Sequence, residues 1–251
     1  LLLLGILAVF GWSGWKAYHA QQAVKEAKTL NWNLTINSPI EKIRQDWRAA
    51  FNIKTWTEND RGLEVTALSN LNNCSTIVKR LNPDSITIHQ AGSENDLSNL
   101  EDLSKLAFLE ILECREIRNI NAIASMRDLT GLSLLRNRGV TNLDPLKKLH
   151  SLRELRIISF TALVNVDGLR ELKSLEIINL AGCTNLTNVD GLLGHKQLTF
   201  LNLQSCNALP KEAMDTLKAA LPDTQITGPD GILLTPDGNA LSLPERVPDT
   251  H

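Results

Sequence analysis

The chain is poor in aromatic residues, with five Trp, five Phe and one Tyr among 251 residues, and its 26 Lys and Arg nearly balance 28 Asp and Glu. Charges of both signs are mixed along it, so there is no basic footprint for nucleic acid. Cysteine is scarce. Cys74, Cys114, Cys183 and Cys206 form no CxxC pair and have no histidine at ligand spacing, which argues against zinc. A glycine-rich phosphate loop, an HExxH sequence and a paired-carboxylate motif are all absent. His89, His150 and His195 accompany no recognisable Ser or Cys nucleophile. These absences argue against an enzyme and imply neither cofactor nor metal.

The few aromatics are unevenly placed. All five Trp (Trp12, Trp15, Trp32, Trp47, Trp56) and Tyr18 lie near the start, whereas the remainder is built from Leu, Ile and Val. Leu1 to Trp15 carries no charge and is flanked by Lys16 and Tyr18, a pattern suited to a membrane interface. A spanning helix needs about 20 apolar residues, so residues 1–18 are expected to be the visible part of a transmembrane anchor. A cleavable signal peptide fits less well, because Tyr18, His19 and Gln21 interrupt the small residues a cleavage site requires.

What the chain has in abundance is a repeat. Leu129, Leu152, Leu175 and Leu198 recur every 23 residues. Each opens the same phrase: Leu129-Leu132-Leu134, Leu152-Leu155-Ile157, Leu175-Ile178-Leu180 and Leu198-Leu201-Leu203. Leu109-Leu112-Cys114 reads as the opening of a shorter unit before them. After each phrase, aliphatics continue every third residue, as in Val140, Leu143, Leu146 and Leu149. That spacing predicts extended or 3₁₀ return limbs in place of long α-helices. A period of this length is the signature of a solenoid.

The flanks follow other rules. Residues 19–37 read as a stalk, helical and polar to about Leu30, and residues 38–84 as an α+β N-terminal cap. Its first helix begins at Ser38, with Pro39 and Glu41 completing the start signal, and runs to about Phe51. Strands are expected at Ile53–Thr57 and Leu63–Ala67, a helix over about Asn70–Leu81, and a strand at Ile86–Ile88. Repeats span 85–209. A C-terminal cap spans 210–227, with a helix over Lys211–Leu221 stopped by Pro222 and an edge strand at Gln225–Thr227. From Gly228 to His251, Pro229, Pro236, Pro244 and Pro248 alternate with Gly and Asp, predicting a poorly packed tail.

The phrase with its return limb resembles the leucine-rich repeat, and Asn137 to Leu149 is similar to the 22-residue class of the bacterial internalins. The resemblance implies a solenoid arc whose parallel β-sheet lines the concave face, with protein or peptide recognition there. It also places Asn137, Cys183 and Cys206 at the ladder position, where a buried polar side chain bonds neighbouring backbone; Ile117 and Phe160 interrupt that ladder. Cys183 and Cys206 would lie about 5 Å apart, one strand spacing, compatible with either free buried thiols or a disulfide.

Alternation along the strands then defines the candidate face. The middle column reads Thr87, Glu113, Ser133, Arg156, Asn179, Asn202. Its neighbours include Arg115, Leu135, Ile158 and Gln204 on one side and Ile111, Ile177 and Phe200 on the other. Exposed Ile111, Leu135, Ile158, Ile177 and Phe200 among polar groups would suit a protein partner. The expectation is a membrane-anchored, non-enzymatic recognition protein with its repeats in periplasmic or extracellular space. Two alternatives remain: the ectodomain of a larger receptor or kinase, and a structural surface spacer.

Overall fold

Inward aliphatics two residues apart place every other side chain on one face, and that is the requirement of a β-strand over a core. In the computed structural model these phrases build one sheet. The structure describes residues 34–35, 62–67, 83–90, 96–234 and 240–242. The strands are β1 (Leu34–Thr35), β2 (Gly62–Ala67), β3 (Ser85–Gln90), β4 (Phe108–Ile111), β5 (Gly131–Asn137), β6 (Glu154–Phe160), β7 (Ile177–Asn179), β8 (Phe200–Asn202), β9 (Gln225–Thr227), β10 (Ile232–Leu234) and β11 (Ala240–Ser242). Their order in the sheet is their order in the chain. From β2 to β9 all pairings are parallel, whereas β1, β10 and β11 join antiparallel at the two ends.

Register corrects the reading of the first repeats. Leu109 pairs with Leu132 and Ile111 with Leu134, so the β4 phrase is Leu106-Leu109-Ile111 and the shorter unit expected from Leu109-Leu112-Cys114 does not exist. The physical reason lies in the core: Leu106, Leu109 and Ile111 are at most 1% exposed, whereas Leu112 is only half-buried. Ile86, expected in a cap strand, pairs with Leu109 and belongs to the same run. The 23-residue spacing therefore reaches back to β2, where Leu63 pairs with Ile86.

Return limbs are 3₁₀ turns, as the three-residue spacing predicts: Ser98–Leu100, Asn121–Ser125, Asp144–Leu146, Asp167–Leu169 and Asp190–Leu192. A carboxamide or carboxylate starts each one. Asp96, Asn119, Asn142, Asn165 and Asn188 accept through Oδ1 the N–H two residues ahead, at 2.8–3.2 Å. These Asx turns satisfy a donor that a short helix leaves open. Between strand and turn lie the fully buried columns, among them Leu100, Ile123, Leu146, Leu169 and Leu192. Burial of each such side chain contributes about 1.5–3 kcal/mol.

At the C-terminal end, α1 (Lys211–Ala220) buries Met214 and Leu217 against the last repeat. The sheet does not stop at β9, where the sequence placed its edge. Gly231, at φ +80°, turns the chain so that β10 pairs with β9, and β11 pairs with β10. Residues 228–234 and 240–242 are thus strand and turn, not loose tail; the prolines count against central strands only, and Pro229 sits in the turn. The expected anchor helix 1–18, the cap helices at 38–51 and 70–81 and the strand at 53–57 lie outside the described residues. Within the expected stalk, Leu34–Thr35 is a strand paired with Glu64 and Val65. Among the described residues no helix is long and apolar enough to cross a membrane.

Candidate protein-binding face

The corrected register redraws the columns. The middle one runs Thr87, Glu110, Ser133, Arg156, Asn179, Asn202 across adjacent strands. Ser133, Arg156, Asn179 and Asn202 stand in the column where the sequence placed them, but Ser133, Arg156 and Asn179 are buried, at 0%, 9% and 6% exposed, and Glu110 takes the place given to Glu113. Phe108, Gly131, Glu154, Ile177 and Phe200 form the preceding column. Ile177 and Phe200 were expected to be exposed but are 5% and 7% exposed. Phe108 explains the glycine beside it: a Cβ on Gly131 would sit 2.4 Å from Cδ2 of its ring.

Ile111 is withdrawn from the face altogether, because it points into the core and is fully buried. Glu113 and Arg115 follow the end of β4 and sit on the lip of the sheet. Leu112, which the sequence reading assigned to the core, joins half-buried Leu135, Ile158 and Ala181 in a strip beside the middle column, with exposed Gln204 at its end. Extending the interval of 23 by one step before Leu129 would have found Leu106 and, with it, Phe108, Glu110 and Leu112.

The middle column carries buried charge. Ser133 Oγ donates to Glu110 Oε1 at 3.0 Å, and Arg156 Nη1 lies 3.8 Å from the same oxygen. Glu110 is 2% exposed. Burial raises its carboxyl above the ordinary range, against the opposing pull of Arg156 and Ser133. On the lip, Glu113 accepts from Arg115 Nε at 2.9 Å and from Arg136 Nη1. Desolvation opposes ionisation there, but the two guanidinium groups prevail and hold that carboxyl below its usual value.

Below the lip runs the ladder: Cys114, Asn137, Phe160, Cys183, Cys206. Cys114 was read as a strand residue and Ile117 as the ladder position; the register exchanges them, and Ile117 is buried core. Asn137 Nδ2 donates to the carbonyls of Cys114 and Ile117, both at 2.6 Å, while its Oδ1 accepts from the N–H groups of Gly139 and Val140. The thiols of Cys114, Cys183 and Cys206 are free and buried, and donate to the carbonyls of Leu135, Ile157 and Leu180 at 3.0–3.2 Å. Burial pushes Cys114 and Cys183 up to about 12 and Cys206 to about 11, so all three stay protonated and inert at neutral pH.

His195, three residues past the last 3₁₀ turn, is fully buried. It occupies a column held by Leu103, Met126, Leu149 and Leu172 in earlier repeats. Its Nδ1 lies 3.1 Å from Leu192 O and its Nε2 3.0 Å from Leu169 O. Among the described residues no group of three or more His, Cys, Asp or Glu is arranged to hold a metal.

No family model and no curated protein matches the chain. Among solved structures it is similar to an internalin (inlF) from Listeria monocytogenes, with 22% identity over 60% of this chain and 43% of that one, at a TM-score of 0.49. Internalin C2 from the same species is 19% identical over 66% of this chain and 69% of its own, TM-score 0.46. The functional domain of InlJ, also from Listeria monocytogenes and described as including a cysteine ladder, is 18% identical over 59% and 35%, TM-score 0.45. The chain spans less than half the length of the first of these. Its own parallel register at 23-residue intervals, its 3₁₀ returns and its Asn and Cys ladder make the repeats a leucine-rich-repeat solenoid, with internalins among its structural neighbours.

Proposed function

We propose that the repeats recognise a protein or peptide ligand through the concave sheet, and that a membrane anchor formed by residues 1–18 holds them in periplasmic or extracellular space. One observation carries the recognition reading. Leu135 and Ile158 pair on β5 and β6, and Leu112 and Ala181 hold the same repeat position just past β4 and β7; all four are half-buried, between a polar middle column and a lip that is charged beside β4 and β5. An apolar strip with a polar rim is the anatomy of a protein interface. Half-buried Asn202 and exposed Gln204 and Arg115 supply the accessible polar groups around it, whereas Ser133, Arg156 and Asn179 are buried in the sheet. Ile177 and Phe200, at 5% and 7% exposed, are not contact residues. The anchor rests on the uncharged run from Leu1 to Trp15 and its Lys and Tyr flank. This function needs no reaction centre, and the protein is read as a binding module and not an enzyme.

Leu135→Asp combined with Ile158→Asp tests the recognition site. The wild-type chain, used as bait, is expected to capture a saturable partner that the double variant loses while its melting temperature stays within a few degrees. Retention of the partner by the folded double variant would exclude the concave strip. Protease digestion of intact cells tests the anchor: cleavage of the repeats from outside is expected, and their protection would contradict it.

A further inference from the structure

The lip of the sheet is not uniform. Following β4 and β5 it carries Arg115, Arg118, Arg136 and Arg138, all exposed, against two carboxylates, Glu113 and Glu116. Following β6, β7 and β8 the corresponding residues, Ser159 to Ala162, Gly182 to Asn185 and Ser205 to Ala208, carry no charge. An excess of positive charge is therefore confined to one end of the lip, on a chain whose formal net charge is −2.

Geometry concentrates that excess. Arg115 and Arg138 hold the same position in successive repeats, and the N–H of Arg138 donates to the carbonyl of Arg115 at 3.4 Å. The stem of Arg118 lies against the next loop, where a Cβ on Gly139 would meet its Cγ at 2.7 Å. Glu113 is shared between Arg115 and Arg136, so one carboxylate serves two guanidinium groups, whose side chains are 58% and 62% exposed. Neither Arg118 nor Arg138 has a carboxylate within salt-bridge distance among the described residues. Arg136 moreover sits at φ +60°, a left-handed conformation that disfavours a side chain. The same left-handed backbone recurs at Ser159, Gly182 and Ser205, so it belongs to the turn of the repeat and fixes where Arg136 leaves the sheet.

We propose that Arg115, Arg118, Arg136 and Arg138 form a docking surface for an acidic segment of the protein partner. Guanidinium groups stacked at the repeat spacing match carboxylates spaced along an extended peptide, and each can bond one in bidentate fashion. The inference rests on the protein-recognition reading and extends the rim of the concave strip, at Arg115, along the lip to Arg118, Arg136 and Arg138. Charge complementarity of this sort acts chiefly on encounter rate and specificity.

Fluorescence anisotropy of the full chain with a labelled dodecapeptide alternating Asp and Ser tests it. Binding is expected, weakening about tenfold as NaCl rises from about 50 mM to about 500 mM. Arg115→Glu with Arg138→Glu is expected to weaken it at least about tenfold with the circular dichroism spectrum unchanged; Arg115→Gln with Arg138→Gln should fall between. Absence of peptide binding, or binding indifferent to charge reversal in the folded variant, overturns the proposal. So does tighter binding of a single-stranded DNA dodecamer, which would mark a general polyanion surface. Leu135→Asp with Ile158→Asp should leave peptide binding intact, so the two sites fail separately.

Discussion

Asn137 and Cys114, one repeat apart on the ladder, are joined by a 2.6 Å hydrogen bond from the Asn137 carboxamide to the Cys114 carbonyl. The same side chain makes three further bonds to backbone, all from a site with no solvent access. It thereby satisfies two carbonyls and two N–H groups at the corner where β5 ends.

Asn137→Ala would leave the Ile117 carbonyl and the Gly139 and Val140 N–H groups without partners and the Cys114 carbonyl with only the Ile117 N–H. At about 1 kcal/mol for each bond, a loss of about 3–4 kcal/mol is expected from urea denaturation. Asn137→Cys, which copies the neighbouring ladder residues, should recover part of it.

A second prediction concerns backbone handedness. Arg136, Ser159, Gly182 and Ser205 form a column of left-handed residues, with φ of 60°, 59°, 75° and 62°. Gly182→Ala would place a Cβ 2.9 Å from Ser159 Oγ and impose the left-handed penalty, at a cost of about 1–2 kcal/mol. Ser159→Gly relieves strain but adds freedom to the unfolded chain, so its change should be within about 1 kcal/mol. Paired thermal melts of the two variants check both.

The third concerns acid. Burial depresses His195, against the raising effect of the Leu192 and Leu169 carbonyls, and Lys173 depresses it further while Glu171 opposes. Its folded value lies below the unfolded value of about 6.5, so the unfolded chain takes up a proton first. Stability from the neutral imidazole is complete above about pH 6.5 and is lost as pH falls below it. His195→Leu restores the residue type of its column and should flatten the pH dependence of the melting temperature between about pH 5 and 7. An unchanged slope in that variant would assign the dependence to other groups.

The period, the 3₁₀ returns, α1 and β9 were legible because each is written in local spacing: leucines at 23, aliphatics at three, a Pro stop after Leu221. The register of β4 was not. Leu109-Leu112 imitates the opening of the repeat phrase, and only the pairing of Ile111 with Leu134 decides which leucine faces the core. That single shift moved Ile111 off the face, brought Glu110 onto it and put Cys114 on the ladder. Burial of Ile177 and Phe200 depends on what surrounds them in space, which alternation along a strand does not encode. The left-handed column escaped notice because only Gly182 carries the residue that marks such a backbone. The Asx turns were visible, in Asn119, Asn142, Asn165 and Asn188, yet polar residues at a loop start resemble ordinary solvent-facing sequence.

The change from parallel to antiparallel pairing after β9 separates two ways in which this sheet can grow. From β3 to β8 each parallel strand is joined to the next by a 3₁₀ return limb and therefore a layer of core; β10 follows β9 through a turn and adds sheet alone, α1 already covering the last layer. Duplication or loss of a whole 23-residue unit between β3 and β8 would preserve every pairing and every column. The same event placed after α1 would find no open core to stack on. Variation in the length of such a protein is thus channelled into its middle, where the columns of the sheet lengthen or shorten by one position at a time.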